Sequence, residues 1–299
     1  MSKAKALKKS RKIGADEVVR ASNWVASWRR FRRSGLAMFG LIYFIFIILV
    51  AVLAPWISPY PYDKVDYNVT LQLPTWQHWM GTDGLGRDLM TRLMWGARPM
   101  LMVGVLTGAV GMLIGVPLGI LAGYLGGAFD WFVQRLVDLF SSLPNYLLVL
   151  FLVMVMSPTV MNLVLALSVT SWVGSCRLVR GLTLSAREYD FVEAARALGI
   201  PTRRILTKHV FPQAAPLLLW SFASSIPASV FAEAGLSYLG IGIRPPTPSW
   251  GQMMGGGGAY WLYYWHVALF PSLCIVVSVL AFQGLADGLR QAIDVNVNI

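Results

Sequence analysis

The stretch Leu36–Ile57, LAMFGLIYFIFIILVAVLAPWI, is apolar along its length and contains no charged residue. A helix crosses the ~30 Å hydrocarbon core of a bilayer with about 20 residues, because each residue advances it ~1.5 Å. The stretch is also longer than the ~7–15-residue apolar core of a cleaved signal peptide. It therefore predicts a retained membrane-spanning helix.

Five further apolar runs of comparable length follow this stretch. They are Pro99–Tyr124, Phe132–Met156, Met161–Val179, Val210–Val230 and His266–Ala286. Of the 299 residues, 56% are hydrophobic and 13% are charged, whereas soluble domains carry about 25% charged residues. We predict an all-α, polytopic membrane protein with six transmembrane helices.

The positive charges form two blocks that predict the orientation of the chain. Eleven of the 25 Lys and Arg residues lie between Lys3 and Arg33, directly before the first apolar run. The second block begins at the end of the fourth run and comprises Arg177, Arg180, Arg187, Arg196, Arg203, Arg204 and Lys208. Because cytoplasmic loops carry an excess of Lys and Arg, both blocks are expected in the cytoplasm. The N-terminus is therefore predicted to be cytoplasmic, and six crossings would return the C-terminus to the same side. The net charge of +11 therefore indicates topology and contact with anionic lipid, not nucleic-acid binding.

These features divide the chain into five parts. Residues 1–34 form a basic cytosolic tail, residues 35–57 the first transmembrane helix and residues 58–98 an extracytoplasmic segment. Residues 99–290 form a five-helix core with a cytoplasmic loop at about 185–212, and residues 291–299 form a cytosolic C-terminus.

The second apolar run carries a regular series of glycines. Gly111, Gly115, Gly119 and Gly123 recur every four residues and so share one face of a helix. Small residues on one face let another helix approach closely inside a membrane. The series therefore predicts a helix-packing contact. The third run contains Pro144, a residue that tends to kink a helix.

Residues for catalysis or metal binding are sparse. The sequence has no GxxxxGK[ST] phosphate loop, so we do not expect this chain to hydrolyse ATP. Its three histidines, His78, His209 and His266, are far apart in sequence, and Cys176 and Cys274 show no paired spacing. We predict a non-enzymatic chain with no cofactor or metal of its own.

One acidic residue lies close to the outer end of the fifth apolar run. Glu233 is either a functional intramembrane group or an interfacial carboxylate that caps a neighbouring helix. No internal repeat with broken helices, typical of proton-driven carriers, is visible in the sequence. We therefore expect the energy source to lie outside this chain.

The predicted loop Ser185–Gln213 reads SAREYDFVEAARALGIPTRRILTKHVFPQ. Ser185 followed by Glu188 is a capping-box pattern, which predicts the start of a helix. Gly199 before Pro201 predicts its end, because glycine accepts the left-handed C-cap conformation and proline can begin a new helix. The small residues of this predicted helix, Ala194, Ala195 and Ala197, suit docking into a narrow groove on another protein.

Within this loop, Glu193-Ala194-Ala195 is followed by Gly199 and then by Pro212. This motif resembles the EAA loop of ABC importer permeases. Three further segments resemble the dipeptide/oligopeptide (peptide/nickel) branch: 81–88, GTDGLGRD; 232–251, which contains LSYLG and PPTPSWG; and 287–294, DGLRQAID.

This resemblance implies a type I ABC importer permease fold in a prokaryotic cell membrane. Expected partners are a second permease, two ATPase subunits that bind ATP and Mg, an extracytoplasmic solute-binding protein and lipid. The resemblance assigns Glu193, Ala194, Ala195 and Gly199 to coupling with the ATPase, with Arg196 and Arg203 at the rim of that contact. It assigns Asp83, Arg87 and Asp88 either to an outer gate or to folding of the extracytoplasmic segment, and we favour folding.

The substrate is the least defined part of this prediction. Dipeptides and oligopeptides are favoured, with glutathione or a nickel chelate as alternatives within the same class of importer. An ATP-independent channel or carrier, or a membrane scaffold that recruits partners through its basic tail, would leave the ordered motifs unexplained.

Overall fold

The computed structural model describes residues 27–189, 198–205, 208 and 211–293. Within these residues the regular structure is helical and no strand is found. The helices are α1 (Gly35–Ile57), α2 (Leu89–Leu125), α3 (Gly127–Ser142), α4 (Asn145–Val155), α5 (Val160–Arg187), α6 (Thr202–Ile205), α7 (Phe211–Tyr238), α8 (Trp250–Gly258) and α9 (His266–Ile293), with a 3-10 turn at Tyr67–Val69. The predicted all-α class is confirmed.

Five of these helices are long and apolar enough to cross a membrane, within the part of the chain that the structure describes. They are α1, α2, α5, α7 and α9. Helices α3 and α4 reach this standard only as a pair, and the chain bends by 83° between them. The predicted third span, Phe132–Met156, is therefore a broken helix.

The bend follows from Pro144. A residue before proline is pushed into an extended conformation, and Leu143 has φ −84° and ψ 135°. Proline has no N–H to continue the preceding helix but suits the start of a new one, and Pro144 is the N-cap of α4. Taken together, the two helices are apolar enough to span a membrane, so hydropathy predicted them as one run.

Helix α2 begins at Leu89, well before the Pro99 predicted from hydropathy. Its N-cap is Asp88, whose Oδ2 accepts a hydrogen bond of 2.8 Å from the Thr91 amide. Such a cap satisfies one of the amides that a helix start leaves without an intrahelical partner. The last part of the predicted 58–98 segment is thus helical, and residues 58–88, here called the connector, join α1 to α2.

Helices α2 and α5 run parallel and in close contact along the glycine series. A Cβ built on Gly111 would lie 2.5 Å from Ser171 Oγ, and one on Gly123 would lie 2.8 Å from the Arg180 carbonyl oxygen. Gly115 and Gly119 meet the backbone of α5 between these two points. The absence of side chains on this face of α2 is what allows the two backbones to touch.

Other contacts close the bundle around α2. Helix α7 packs antiparallel to α2, with Ile226 and Val230 against Gly104.

Helices α1 and α9 are also antiparallel. Gly40 lies against Ala281 and Leu285, and Gly284 and Gly288 lie against Leu36 and Ala37. The bundle has a connector end, where α2 begins, and a loop end, where α5 ends and α7 begins.

A proline in α1 is compensated by an arginine from α2. Pro55 has no N–H, so the Ala51 carbonyl oxygen lacks its partner four residues on. Arg98 Nε donates to that oxygen at 2.6 Å, and Arg98 Nη2 donates to the Val52 carbonyl oxygen at 3.4 Å. This charged side chain therefore stabilises the connector end of α1 against α2.

Candidate functional site

The residues predicted to couple to an ATPase lie in the sequence between α5 and α7. Helix α5 ends at Arg187 with Glu188 as its C-cap. Glu193, Ala194, Ala195 and Arg196 lie outside the described residues, and of Arg203, which lies in α6, only the backbone is described.

Ser185 lies inside the last turn of α5, where its Oγ donates to the Gly181 carbonyl oxygen at 3.3 Å. The capping-box prediction for Ser185 is therefore wrong.

Gly199 adopts the left-handed conformation that the sequence predicted, with φ +71°. No atom of the described residues lies within 4 Å of a Cβ built on it, and the neighbouring Leu198 is 80% exposed. The turn therefore projects away from the rest of the described chain. Its base is fixed, because Ile205 is fully buried against Tyr124 and Ala186.

A bidentate ion pair ties two helices together at this end. Arg180 Nε lies 2.6 Å from Asp130 Oδ1, and Arg180 Nη2 lies 2.7 Å from Asp130 Oδ2. Asp130 is in the first turn of α3, and Arg180 is two turns before the end of α5. Close to them, Arg187 Nη1 donates to the Tyr124 carbonyl oxygen at 3.4 Å. These contacts connect the helix leading into the loop to α2 and α3.

At the connector end, Asp83 organises a tight turn. Its Oδ1 accepts hydrogen bonds from the amides of Leu85, at 2.9 Å, and Arg87, at 3.0 Å. Its Oδ2 accepts from Arg87 Nε at 2.7 Å. Gly86 follows in the left-handed conformation, with φ +69°.

Two neighbouring residues fix this turn to the helices. Asp88 caps α2, and its Oδ1 lies 2.9 Å from His78 Nδ1. Arg92, whose side chain is 1% exposed, donates from Nη1 to the Tyr62 carbonyl oxygen at 3.1 Å and from Nη2 to Gln252 Oε1 at 3.3 Å. Its Nε lies 3.6 Å from Asp83 Oδ2. Arg92 thus joins the connector, helix α8 and the Asp83 turn to the start of α2.

Glu233 is buried and joins α7 to α8. It is 2% exposed, and its Oε1 accepts hydrogen bonds from Ser237 Oγ at 2.8 Å and from Ser249 Oγ at 2.6 Å. Ser249 is the N-cap residue of α8, but its hydroxyl is directed to Glu233 and makes no cap bond within α8. Glu233 therefore holds the start of α8 against α7. Trp250, also at the start of α8, donates its indole N–H to the Leu93 carbonyl oxygen of α2 at 2.9 Å.

Sequence reasoning missed the roles of Arg92, Gln252 and Asp130. Tyr62 and Gln252 lie 30 and 160 positions from Arg92, and Arg180 lies 50 positions from Asp130, so no local pattern marks these contacts. Among the residues that the structure describes, no three His, Cys, Asp or Glu side chains lie close enough together to hold a metal ion. The contacts of Arg92, Glu233 and the Asp130–Arg180 pair hold helices together, and the Gly199 turn is exposed.

The chain belongs to the family described as the inner membrane component of binding-protein-dependent transport systems, whose model matches residues 115–297. A second family model, the N-terminal TM domain of oligopeptide transport permease C, matches residues 22–74. The chain is thus an ABC importer permease of the cell inner membrane, and the resemblance seen in the sequence is confirmed.

Several relatives match nearly the whole chain. It is 38% identical over 269 residues to the dipeptide transport system permease protein DppC of Bacillus subtilis, covering 90% of this chain and 84% of that protein. It is 39% identical over 272 residues to the glutathione transport system permease protein GsiD of Escherichia coli O157:H7, covering 91% and 90%. The oligopeptide transport system permease protein OppC of B. subtilis is 37% identical over 273 residues, covering 91% and 90%.

A solved structure has the same fold. A chain of the inward-facing MetNI methionine ABC transporter matches with a TM-score of 0.54 and 22% identity, covering 68% of this chain and 97% of that chain. The predicted ABC importer permease fold is therefore confirmed.

Proposed function

We propose that this chain is a permease subunit of an ATP-driven importer that takes up dipeptides or oligopeptides delivered by a solute-binding protein. The observation that carries the proposal is the projecting Gly199 turn, in a member of this transport family, in the segment that follows α5, a helix packed along its length on α2. A rigid contact of this kind suits transmission of a force from a partner at the loop to the helices.

The coupling loop is proposed to rest in a groove of an ATPase subunit, with Glu193, Ala194, Ala195 and Gly199 in the contact and Arg196 and Arg203 at its rim. Motion of the loop would move the end of α5. The Asp130–Arg180 ion pair and the glycine contact would carry α3 and α2 with it. Both termini and the loop end would then lie in the cytoplasm, and the connector outside.

Catalysis is assigned to other subunits in this proposal. Two ATPase subunits would bind ATP and Mg and hydrolyse the nucleotide, and a second homologous permease would complete the translocation path. This chain would contribute half of that path and no cofactor. At the other end, Asp83, Arg87, Asp88 and Glu233 would hold the surface that faces the binding protein, through the bonds described above.

Peptides are the favoured substrates because relatives named for dipeptide and oligopeptide transport match over 90% and 91% of this chain. Glutathione is a second candidate, since a glutathione permease matches with 39% identity. The binding protein that accompanies this chain would decide between them.

The coupling proposal is tested with two glycines of equal conformation. Gly199→Val places a β-branched residue at φ +71°, and Gly240→Val places one at φ +77° at the connector end. At both positions no atom of the described residues lies within 4 Å of the added Cβ, so backbone strain is matched and only the location differs. Each variant is purified with its neighbouring gene products, and ATP hydrolysis is measured with and without loaded binding protein.

We expect Gly199→Val to retain the second permease but to lose several-fold in stimulated hydrolysis, with Gly240→Val close to wild type. Equal loss in both variants, or none in Gly199→Val, would contradict the coupling role. A chain that purifies without any ATPase would contradict the importer assignment itself.

A further inference from the structure

The connector end contains a cavity of about 290 Å³ between the Asp83 turn, the start of α2 and helix α8. Its polar lining comprises Asp83, Arg87, Arg92, Gln252 and Tyr260. Small-molecule sites usually measure about 300–1,000 Å³, so this cavity suits one end of a small solute.

The charges in this lining do not balance. Arg87 and Arg92 contribute two guanidinium groups, and Asp83 contributes the one carboxylate among the lining residues. Asp88 lies nearby, but its two oxygens are occupied by His78 and by the Thr91 amide, and it is not part of the lining. The lining therefore carries one excess positive charge, which a bound anion would offset.

The hydrogen-bonding capacity is also one-sided. Asp83 is filled by Arg87 and two amides. Gln252 accepts from Arg92 and donates from Nε2 to the Ile243 carbonyl oxygen. The buried Arg92 Nε makes no hydrogen bond to the described residues, because its 3.6 Å distance from Asp83 is too long.

Two further groups near the mouth can donate. Arg87 uses its Nε and its amide for Asp83, and its two terminal nitrogens make no hydrogen bond to the described residues. The Tyr260 hydroxyl lies beside Gly84 and belongs to a half-exposed side chain. Free donors around an excess positive charge are the complement of a carboxylate, which only accepts.

We infer that this cavity binds the terminal carboxylate of a small peptide, with Arg87 and Tyr260 as direct contacts and Arg92 as the buried charge behind them. The inference rests on the proposed function, which places this end outside the membrane and makes peptides the solutes. Dipeptides, oligopeptides and glutathione all possess a free carboxylate, so the site would serve each of these substrate classes.

The probe is the dipeptide Ala-Ala, compared with Ala-Ala amide, which has the same shape but no carboxylate. Binding to the purified complex in lipid nanodiscs is measured by titration, without binding protein, for wild type, Arg87→Gln and Arg87→Lys. Arg244→Gln is the matched control, because Arg244 is an exposed arginine next to the lining residue Pro245 but outside the cavity.

We expect wild type and Arg244→Gln to bind Ala-Ala, and the amide to bind at least ~10-fold more weakly, since losing one charge-assisted contact costs at least this factor. Arg87→Gln should lose a similar factor, and Arg87→Lys should recover part of it. A merely structural role for Arg87 would lower the thermal stability of the free complex without separating the peptide from its amide.

Equal binding of peptide and amide would overturn the inference, as would unchanged binding in Arg87→Gln. Weakened docking of the binding protein to Arg87→Gln, with no Ala-Ala binding to wild type, would also overturn it and would assign the cavity to an acidic side chain of that protein. None of these results depends on ATPase recovery, so failure here is distinguishable from failure of the importer assignment.

Discussion

An alanine at position 119 would place its methyl group against the backbone of α5. The Cβ would lie 2.5 Å from the Cys176 carbonyl oxygen and 3.1 Å from the Arg180 amide nitrogen, whereas ordinary contacts are 3.4–4 Å. These atoms belong to a helix backbone and cannot rotate away. Gly119→Ala therefore requires α2 and α5 to separate along part of their contact.

The magnitude follows from two opposing effects. Overpacking of a tight contact costs about 1–3 kcal/mol, and replacing a helical glycine by alanine gains about 1 kcal/mol. We expect Gly119→Ala to lower the free energy of unfolding by up to about 2 kcal/mol. Gly181, in α5, is the control, because no atom lies within 4 Å of its added Cβ. Gly181→Ala should raise that free energy by up to about 1 kcal/mol.

The assay is unfolding of the purified chain in mixed micelles with increasing SDS, followed by tryptophan fluorescence. The two alanine variants are expected to shift the midpoint in opposite directions. A midpoint for Gly119→Ala that equals or exceeds that of Gly181→Ala would refute the close-contact explanation of the glycine series.

Three further predictions use the same unfolding assay. A double-mutant cycle with Asp130→Asn and Arg180→Gln should give a coupling energy of about 1 kcal/mol, because the pair is bidentate but partly exposed; a value near zero would contradict the tie between α3 and α5. Arg98→Ala should lower the free energy of unfolding by about 1–3 kcal/mol, because it leaves the Ala51 carbonyl oxygen unpaired. Pro55→Ala restores an N–H for that oxygen and should reduce the loss in the double variant. Additive effects of the two substitutions would contradict this. Glu233→Leu should cost about 2 kcal/mol or more by leaving two serine hydroxyls without their acceptor, and a neutral result would contradict its joining role.

The transmembrane helices could be predicted from the sequence because the bilayer demands long apolar runs, and α1 matches its predicted bounds within a residue. The glycine series was equally readable, since a four-residue spacing places side chains on one helix face. The left-handed Gly199 followed from local chemistry, with proline two residues later. Each of these features depends on neighbouring residues alone.

Features that depend on distant partners were missed. Hydropathy excluded Arg92 from a span, yet α2 begins before it, because Tyr62 and Gln252 satisfy its guanidinium from other parts of the fold. Ser185 matched a capping box, but Thr183 and Ala186 are buried against neighbouring residues, and this packing continues α5 through the pattern. Tertiary contacts outweighed local preference at both positions.

The most direct test of the central claim is peptide uptake into proteoliposomes. The chain is reconstituted alone, and in parallel with the second permease, the ATPase subunits and the binding protein, and entry of a labelled dipeptide is measured with and without ATP. We expect uptake only in the complete system with ATP. Uptake by the chain alone, independent of ATP, would contradict the account and identify a self-sufficient carrier or channel.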